Sequence, residues 1–256
     1  MTTNIVLFGK TGCGKSTVAN ALVTGGIEPP IVFPSSDAPT GCTSEISKKS
    51  GRGWAVTDTI GLGEGKLGTK SNTEAKNELT VFLKKVKDAY SHIIFVQKAD
   101  RVTELDEMIW LLFTSIFEGA EDAFVVLFTA ADEMWLKDNE SKLPTDMARY
   151  AKFAVDIPPY VSDSDQQVRE KRNKEKRERS LQELEKNLVA HFALRGNKDS
   201  VPKIVGMTDE ELEKKSSRLL DLVIDLIRNL FDPVQWEKAA NAISSILNVV
   251  ERFKNA

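Results

Sequence analysis

The chain has 256 residues, a formal net charge of −3, and 41% hydrophobic and 29% charged residues. This length can bury a large core in one or two domains, and the charge balance excludes a general attraction to nucleic acid or to an anionic membrane. No stretch approaches the ~18 uninterrupted apolar residues that a membrane-spanning helix needs. The two cysteines, Cys13 and Cys42, with no leader sequence before the first strand, predict free thiols and a cytoplasmic protein.

A phosphate-binding motif lies near the start of the chain. Residues 9–16, GKTGCGKS, follow the apolar run Ile5–Phe8 and precede a helix-forming run. In such a motif glycines let successive N–H groups point at a phosphate, and the lysine and serine bring a charge and a magnesium ligand. The pattern predicts binding of a nucleoside triphosphate. The predicted nucleotide-binding residues here are Thr11, Gly12, Cys13, Gly14, Lys15, Ser16 and Thr17.

A D-x-x-G pattern follows the next predicted strands. The first helix is predicted to end at Gly25-Gly26, and residues 27–43, with several prolines, predict a long irregular loop. Residues 44–49 and 54–57 predict a strand hairpin. Asp58 follows it and could hold a water on Mg²⁺, while the Gly61 N–H could contact the γ-phosphate. The predicted metal ligands are Ser16, Thr43 and Asp58, with Thr40 as the alternative to Thr43, and the predicted catalytic residues are Lys15, Thr43 and Gly61.

The middle of the chain alternates between predicted helices and strands. Helices are predicted over residues 73–90 and 103–117, the second with a capping box of Thr103 and Asp106. Predicted strands cover residues 92–97, 123–129 and 150–155. Alternating strands and helices from residue 4 to residue 155 predict an α/β fold with a mainly parallel sheet.

Two aspartates compete for the recognition of a guanine base. Gln97-Lys98-Ala99-Asp100 is superficially similar to the base-reading pattern N-K-x-D, whereas Asp132 follows the next strand. Because base-reading residues lie at the carboxyl end of that later strand, we predict Asp132 as the reader and Asp100 as a helix-entry residue. Thr129 stands where the pattern has asparagine, which predicts loss of a tie to the phosphate loop and looser base selection.

The last hundred residues are predicted to be helical. Residues 163–192 predict a helix with a polar, mostly basic start, and the interleaved glutamates favour a solvated surface over a nucleic-acid site. A capping box of Thr208 and Glu211 opens a helix to Phe231, and a final amphipathic helix follows. These two helices either pack on the domain or present a surface to a protein partner or a membrane. The predicted domains are residues 1–195 and a helical extension, 196–256.

The chain resembles the AIG1 family of GTPases, which includes the GIMAP proteins and is related to plastid import GTPases and septins. Residues 99–106 are similar to the family's G-R-x-T-x-x-D box, and Phe128 to Asp132 are similar to its F-T-x-x-D base loop. The resemblance covers about residues 3–195. Residues 41–44 depart from the family's V-T-x-T-C order, so Thr43 and Thr40 both stay open as the magnesium threonine.

The resemblance implies a three-layer α/β/α P-loop domain with an antiparallel second strand, GTP or GDP with Mg²⁺ as ligands, and nucleotide-dependent homodimers. Asp156 is the candidate in the second base loop. Leu62 stands where many small GTPases place a glutamine that orients water, which implies slow hydrolysis unless a second copy completes the site. A GTP-gated interaction module with negligible hydrolysis is the alternative function, and an ATP-using kinase is a third. The expected location is cytoplasmic, or peripheral on a membrane through the C-terminal helices.

Overall fold

The computed structural model describes residues 2–25, 32–33, 46–59, 61, 72–158 and 167–230. Six strands in this part of the chain form one sheet with the order β2-β3-β1-β4-β5-β6. The strands are β1 (Thr3–Phe8), β2 (Ser47–Gly51), β3 (Trp54–Asp58), β4 (His92–Lys98), β5 (Phe124–Thr129) and β6 (Ala151–Val155). Strand β2 pairs antiparallel with β3, and all other neighbours are parallel. The predicted mainly parallel sheet with an antiparallel second strand is therefore confirmed.

Helices cover both faces of this sheet. They are α1 (Lys15–Thr24), α2 (Asn72–Lys85), α3 (Glu104–Ile116), α4 (Glu133–Asn139), α5 (Thr145–Ala148), α6 (Gln167–Leu194) and α7 (Asp209–Leu230). Alternate residues of β1 belong to different core clusters because successive strand side chains point to opposite faces. Val6 and Phe8 pack in the cluster that includes side chains of α2, α3 and α7. Ile5 and Leu7 pack in the cluster that includes side chains of α1 and α6. This confirms the three-layer α/β/α architecture.

The parallel register decides which side chains meet at one edge of the sheet. Leu7 lies opposite Asp58, so the end of β3 lies beside the end of β1, where the phosphate-binding motif begins. Thr129 lies opposite Val155, so the segments that follow β5 and β6 also leave the sheet side by side. The carboxyl ends of four strands thus converge on the candidate site.

Two segments differ from the sequence prediction. The helix predicted to reach Tyr90 ends at Lys85. Tyr90 is fully buried and forms a bridge with Ser200, in which its N–H donates to the Ser200 carbonyl oxygen at 2.9 Å. This long-range pairing is stronger than the local helical tendency of residues 86–90. The short helices α4 and α5 were not predicted, although Asp132 is the N-cap of α4, which is a recognisable start signal.

The start of α6 is exposed or half-buried, in agreement with the predicted solvated surface, and only Arg177 is buried there. Arg177 is only 4% exposed. Its guanidinium pairs with Glu170 and donates to the Pro158 carbonyl oxygen at 3.3 Å. The neighbouring Lys176 forms an ion pair with Asp156. Two basic residues at the start of α6, Lys176 and Arg177, therefore bind this helix to the segment that follows β6.

Helix α7 packs on α2 and on the core. The predicted capping box is present, because the Thr208 N–H donates to Glu211 Oε2 at 2.7 Å and the Glu211 N–H donates to Thr208 Oγ1 at 3.3 Å. Leu212 is fully buried in the cluster that contains Phe113. The final predicted helix lies outside the described residues. Within the described part of the chain, no helix combines the length and apolar character that crossing a membrane requires.

We expect Leu212→Ala to lower the free energy of unfolding by about 2–5 kcal/mol, because it removes a buried side chain and leaves a cavity. Urea denaturation measures this change. Leu194→Ala is the matched control, since Leu194 is 88% exposed and its truncation should change stability by less than about 0.5 kcal/mol. Equal effects of the two variants would show that α7 does not contribute to the core.

Candidate functional site

The predicted phosphate-binding motif forms a tight loop between β1 and α1. Gly12 and Gly14 have φ angles of +76° and +95°, in the left-handed region that favours glycine. Gly14 is the residue before α1, and Val18 N–H donates to its carbonyl oxygen at 3.0 Å. The first helical turn, whose N–H groups are oriented along the helix axis toward its start, therefore begins directly beside the loop. This arrangement is suited to binding an anion.

Lys15 lies within the loop and is only 5% exposed. Its ammonium donates to the Lys10 carbonyl oxygen at 2.9 Å and to the Gly9 carbonyl oxygen at 3.2 Å. It lies 3.9 Å from Cys13 Sγ, and burial raises the pKa of the Cys13 thiol above its ordinary value. Cys13 is a free thiol, as predicted. A buried ammonium inside an anion-binding loop supplies the full positive charge that a polyphosphate needs.

Ser16 and Asp58 meet at the start of α1. Ser16 Oγ donates to Asp58 Oδ2 at 2.6 Å. Asp58 is fully buried, and its Oδ1 has no hydrogen-bond partner among the described residues. Burial raises the pKa of Asp58, while the Ser16 hydrogen bond and the Lys15 charge oppose that rise.

The oxygen set at Ser16 and Asp58 fits a magnesium ion. Mg²⁺ prefers oxygen ligands, and it commonly uses one or two carboxylates together with phosphate oxygens and water. The observation that carries this assignment is Asp58 Oδ1, which has no partner in the part of the chain that the structure describes. The third predicted ligand, Thr43, and its alternative Thr40 lie outside the described residues, as does Leu62.

Gly61 approaches the phosphate loop closely. A Cβ atom at this position would lie 2.4 Å from Thr11 Oγ1 and 2.6 Å from Thr11 Cα. Any larger residue would therefore push the two segments apart. The D-x-x-G segment and the phosphate loop are in contact, as the sequence pattern requires.

Thr129 ties β5 to the phosphate loop. Its Oγ1 donates to the Cys13 carbonyl oxygen at 2.6 Å. The prediction that threonine here loses this tie is wrong. The threonine side chain is shorter than that of asparagine, but it can approach the loop closely because Gly14 has no side chain. A Cβ on Gly14 would lie only 3.3 Å from Thr129 Cγ2 and would crowd it. The physical reason given for looser base selection therefore does not hold.

The two candidate base-contacting aspartates follow neighbouring strands. Asp132 is exposed, and its Oδ1 accepts a hydrogen bond from the Trp135 N–H at 2.9 Å as the N-cap of α4. Asp156 follows β6 and pairs with Lys176. Asp100 is exposed beyond β4, and the cap of α3 is Thr103 rather than Asp100. The structure thus brings Asp132 and Asp156 to adjacent strand ends.

Sequence reasoning missed one contact of the phosphate loop. Lys10 Nζ lies 3.9 Å from Asp106 Oδ1, and Asp106 is 3% exposed in the first turn of α3. The capping box had been recognised from the sequence, but nothing in the local pattern indicates that its carboxylate faces the loop.

The two histidines of the chain lie away from this site. His92 begins β4 at the opposite edge of the sheet and is fully buried, with its ring 5.4 Å from that of His191. Burial lowers the pKa of His92 to about 3, so this imidazole is neutral at physiological pH. Neither histidine is placed to act as a base at the phosphate loop.

Comparisons with known proteins give one family and a set of similar structures. The model of the AIG1 family matches residues 3–186. A search of curated proteins finds no match. A crystal structure of a dimerization-deficient Toc33 mutant from Arabidopsis thaliana is 17% identical, with a TM-score of 0.50 over 78% of this chain and 87% of that chain. Toc33 from the same plant in complex with Mg²⁺ and GMPPNP is 15% identical, with a TM-score of 0.48 over 78% of this chain and 88% of that chain. The first match shows a shared fold.

We expect the free energy of unfolding of the unsubstituted chain to fall as the pH rises above about 3.8, the ordinary pKa of an aspartate. The Asp58→Asn variant, which has no carboxylate at this position, should not show this fall. Because the folded-state pKa is raised, the folded chain binds a proton more strongly than the unfolded chain, and this stabilisation is lost as the pH rises through the folded-state pKa. The loss is about 1.4 kcal/mol for each unit of difference between the two pKa values.

Chemical denaturation at several pH values measures this difference in the absence of nucleotide. Asp138→Asn is the matched control, because it removes the same charge from an exposed position on α4. Parallel stability curves for Asp58→Asn and the unsubstituted chain would contradict the effect of burial.

Proposed function

The chain belongs to the AIG1 family, and from this membership and the geometry of its phosphate loop we propose that it binds GTP and GDP with Mg²⁺ and hydrolyses GTP slowly. The observation that carries the proposal is the Ser16–Asp58 pair beside the buried Lys15. These three side chains combine a hydroxyl, a carboxylate with an unpartnered oxygen and an ammonium at one helix start. That set matches what a magnesium-bound triphosphate requires.

In this proposal the phosphate loop surrounds the β- and γ-phosphates. The N–H groups of residues 12–17 donate to phosphate oxygens, and Lys15 turns from the loop carbonyls toward the γ-phosphate. Ser16 and Asp58 would hold Mg²⁺, and Thr43 is the proposed third ligand. Gly61 contributes its N–H to the γ-phosphate. The magnesium ion would neutralise charge that develops on the phosphate oxygens.

Asp132 is the proposed reader of the guanine base. Its carboxylate is exposed, and each of its oxygens can accept more than one hydrogen bond, so capping α4 leaves capacity for a base. Guanine offers a ring N–H and an exocyclic amine as a pair of donors, whereas adenine does not. The Thr129 hydrogen bond to the phosphate loop supports this role, because it holds the end of β5 at a fixed distance from the phosphates. Asp156 is the proposed second contact.

Slow hydrolysis and self-association form the finer part of the proposal. Leu62 carries no group that can orient water, and both histidines lie away from the loop. We propose that a second copy of the chain completes the site and that the nucleotide controls this pairing. A cytoplasmic location, with a protein or membrane partner for the C-terminal helices, completes the proposal. The alternative is a GTP-gated interaction module with negligible hydrolysis, which the leucine also favours.

We expect GTP turnover per protomer to be low in dilute solution and to rise steeply with protein concentration, because pairing supplies groups that one copy lacks. Phosphate release measured over a wide concentration range tests this expectation. Lys15→Ala is the control and should show no turnover at any concentration. Any phosphate that it releases measures contaminating GTPase activity. A flat rate near zero, together with retained GTP binding, would support the interaction module instead.

We expect Asp132→Asn to weaken GDP binding about 10- to 100-fold, because asparagine keeps one acceptor oxygen for guanine but loses the other charge-assisted hydrogen bond. Affinity for xanthosine diphosphate should rise in the same variant, since xanthine has an acceptor in place of the guanine amine. Calorimetric titration in Mg²⁺ measures both affinities. Stability should not change, because asparagine caps a helix as well as aspartate does. Unchanged GDP affinity would exclude Asp132 as the base reader.

A further inference from the structure

We propose that Asp106 positions the phosphate loop by holding the ammonium of Lys10. This inference rests on the proposed nucleotide-binding function. Asp106 is the last residue of the segment 99–106 that is similar to the family's G-R-x-T-x-x-D box. The proposed function assigns no role to this segment. The contact with Lys10 assigns it one.

The carboxylate of Asp106 has two separate sets of contacts. Oδ2 accepts hydrogen bonds from the Thr103 N–H at 2.8 Å and from Thr103 Oγ1 at 2.6 Å. These two bonds complete the capping box of α3. Oδ1 faces Lys10 Nζ at 3.9 Å. One oxygen therefore caps the helix, and the other is directed at the phosphate loop.

The second capping box of the chain provides an internal comparison. In α7, Glu211 Oε2 accepts from the Thr208 N–H at 2.7 Å and from Thr208 Oγ1 at 2.9 Å, which is the same bonding pattern. Glu211 is exposed, whereas Asp106 is 3% exposed. Capping alone thus does not require a buried carboxylate. Because burial of a charge is unfavourable without a partner, the Lys10 ammonium is a compensating contact for Asp106.

Lys10 is the residue through which this contact reaches the phosphates. Its carbonyl oxygen accepts hydrogen bonds from Lys15 Nζ at 2.9 Å and from the Cys13 N–H at 3.3 Å. The Cys13 bond, which does not involve the Lys15 ammonium, ties the loop turn to the backbone of Lys10. Its side chain extends from the loop to the buried Asp106. Fixing that side chain restrains the backbone from which Lys15 and Cys13 are held.

A restrained loop loses less conformational freedom when a nucleotide binds. Without Asp106, the Lys10 ammonium would lose this contact, and the nucleotide would have to order more of the loop. Asp106 would thereby raise nucleotide affinity without contacting the nucleotide. It is a positioning residue, and its effect should disappear when Lys10 has no charge.

A double-mutant cycle tests the coupling. Asp106→Asn keeps an oxygen that can accept from Thr103 but removes the charge, and Lys10→Met keeps the aliphatic stem without the ammonium. Each single variant should bind fluorescent GDP about two- to fivefold more weakly, because the expected energy is that of a partly exposed ion pair. The double variant should be no weaker than the weaker single variant, and the coupling should shrink at high salt.

Glu211→Gln is the matched control, since it removes the charge of the equivalent cap in α7 and should leave GDP affinity unchanged. Additive losses in the double variant, or single variants that bind GDP as well as the unsubstituted chain, would overturn the positioning role while leaving the proposed function intact. Absence of GDP binding by the unsubstituted chain would instead remove the proposed function. Thermal unfolding of every variant shows whether an affinity loss reflects misfolding.

Discussion

The hydrogen bond between Ser16 and the buried carboxylate of Asp58 is the interaction on which the rest of the site depends. It exists because the parallel register places Leu7 of β1 opposite Asp58 of β3, so both strands end at the same point. The carboxylate is fully buried, and burial raises its pKa. Such a group lowers the stability of the fold until a cation compensates it. Ligand binding should therefore stabilise the protein by mass action.

The phosphate loop is held by contacts from several elements around it. Thr129 donates to the Cys13 carbonyl oxygen from the end of β5, and Asp106 holds Lys10 from α3. Gly61 lies against Thr11 from the segment that follows β3. A loop fixed in this way keeps its N–H groups in place before a ligand arrives, which reduces the entropy lost on binding. The same contacts connect the loop to the segments that follow β3 and β5, which carry Gly61 and the proposed base reader Asp132.

Helices α6 and α7 are part of the same architecture. Glu185 of α6 accepts from Arg52 at 2.9 Å and from Trp54 Nε1 at 3.1 Å, which joins this helix to the β2–β3 hairpin. Thr80 and Ser216 hydroxyls lie 2.7 Å apart and join α2 to α7. The hairpin precedes Asp58, and α2 follows the segment that begins at Gly61. Helices α6 and α7 thus contact the elements on either side of the D-x-x-G segment.

The sequence by itself determined the local features of this protein. A few neighbouring residues specify each of these features, which are the phosphate loop at residues 9–16, the end of α1 at Gly25 and the two capping boxes. The loop and the helix end need glycines in the left-handed conformation, and the capping boxes need short side chains that bond to nearby N–H groups. The alternation of strands and helices likewise determined the α/β class. Only the tertiary structure decided that Tyr90 leaves the helix to pair with Ser200, and that Thr129 reaches Cys13. It also decided that Asp106 faces Lys10. These contacts join residues far apart in the chain, and their distances follow from strand register and helix packing, which no local pattern encodes.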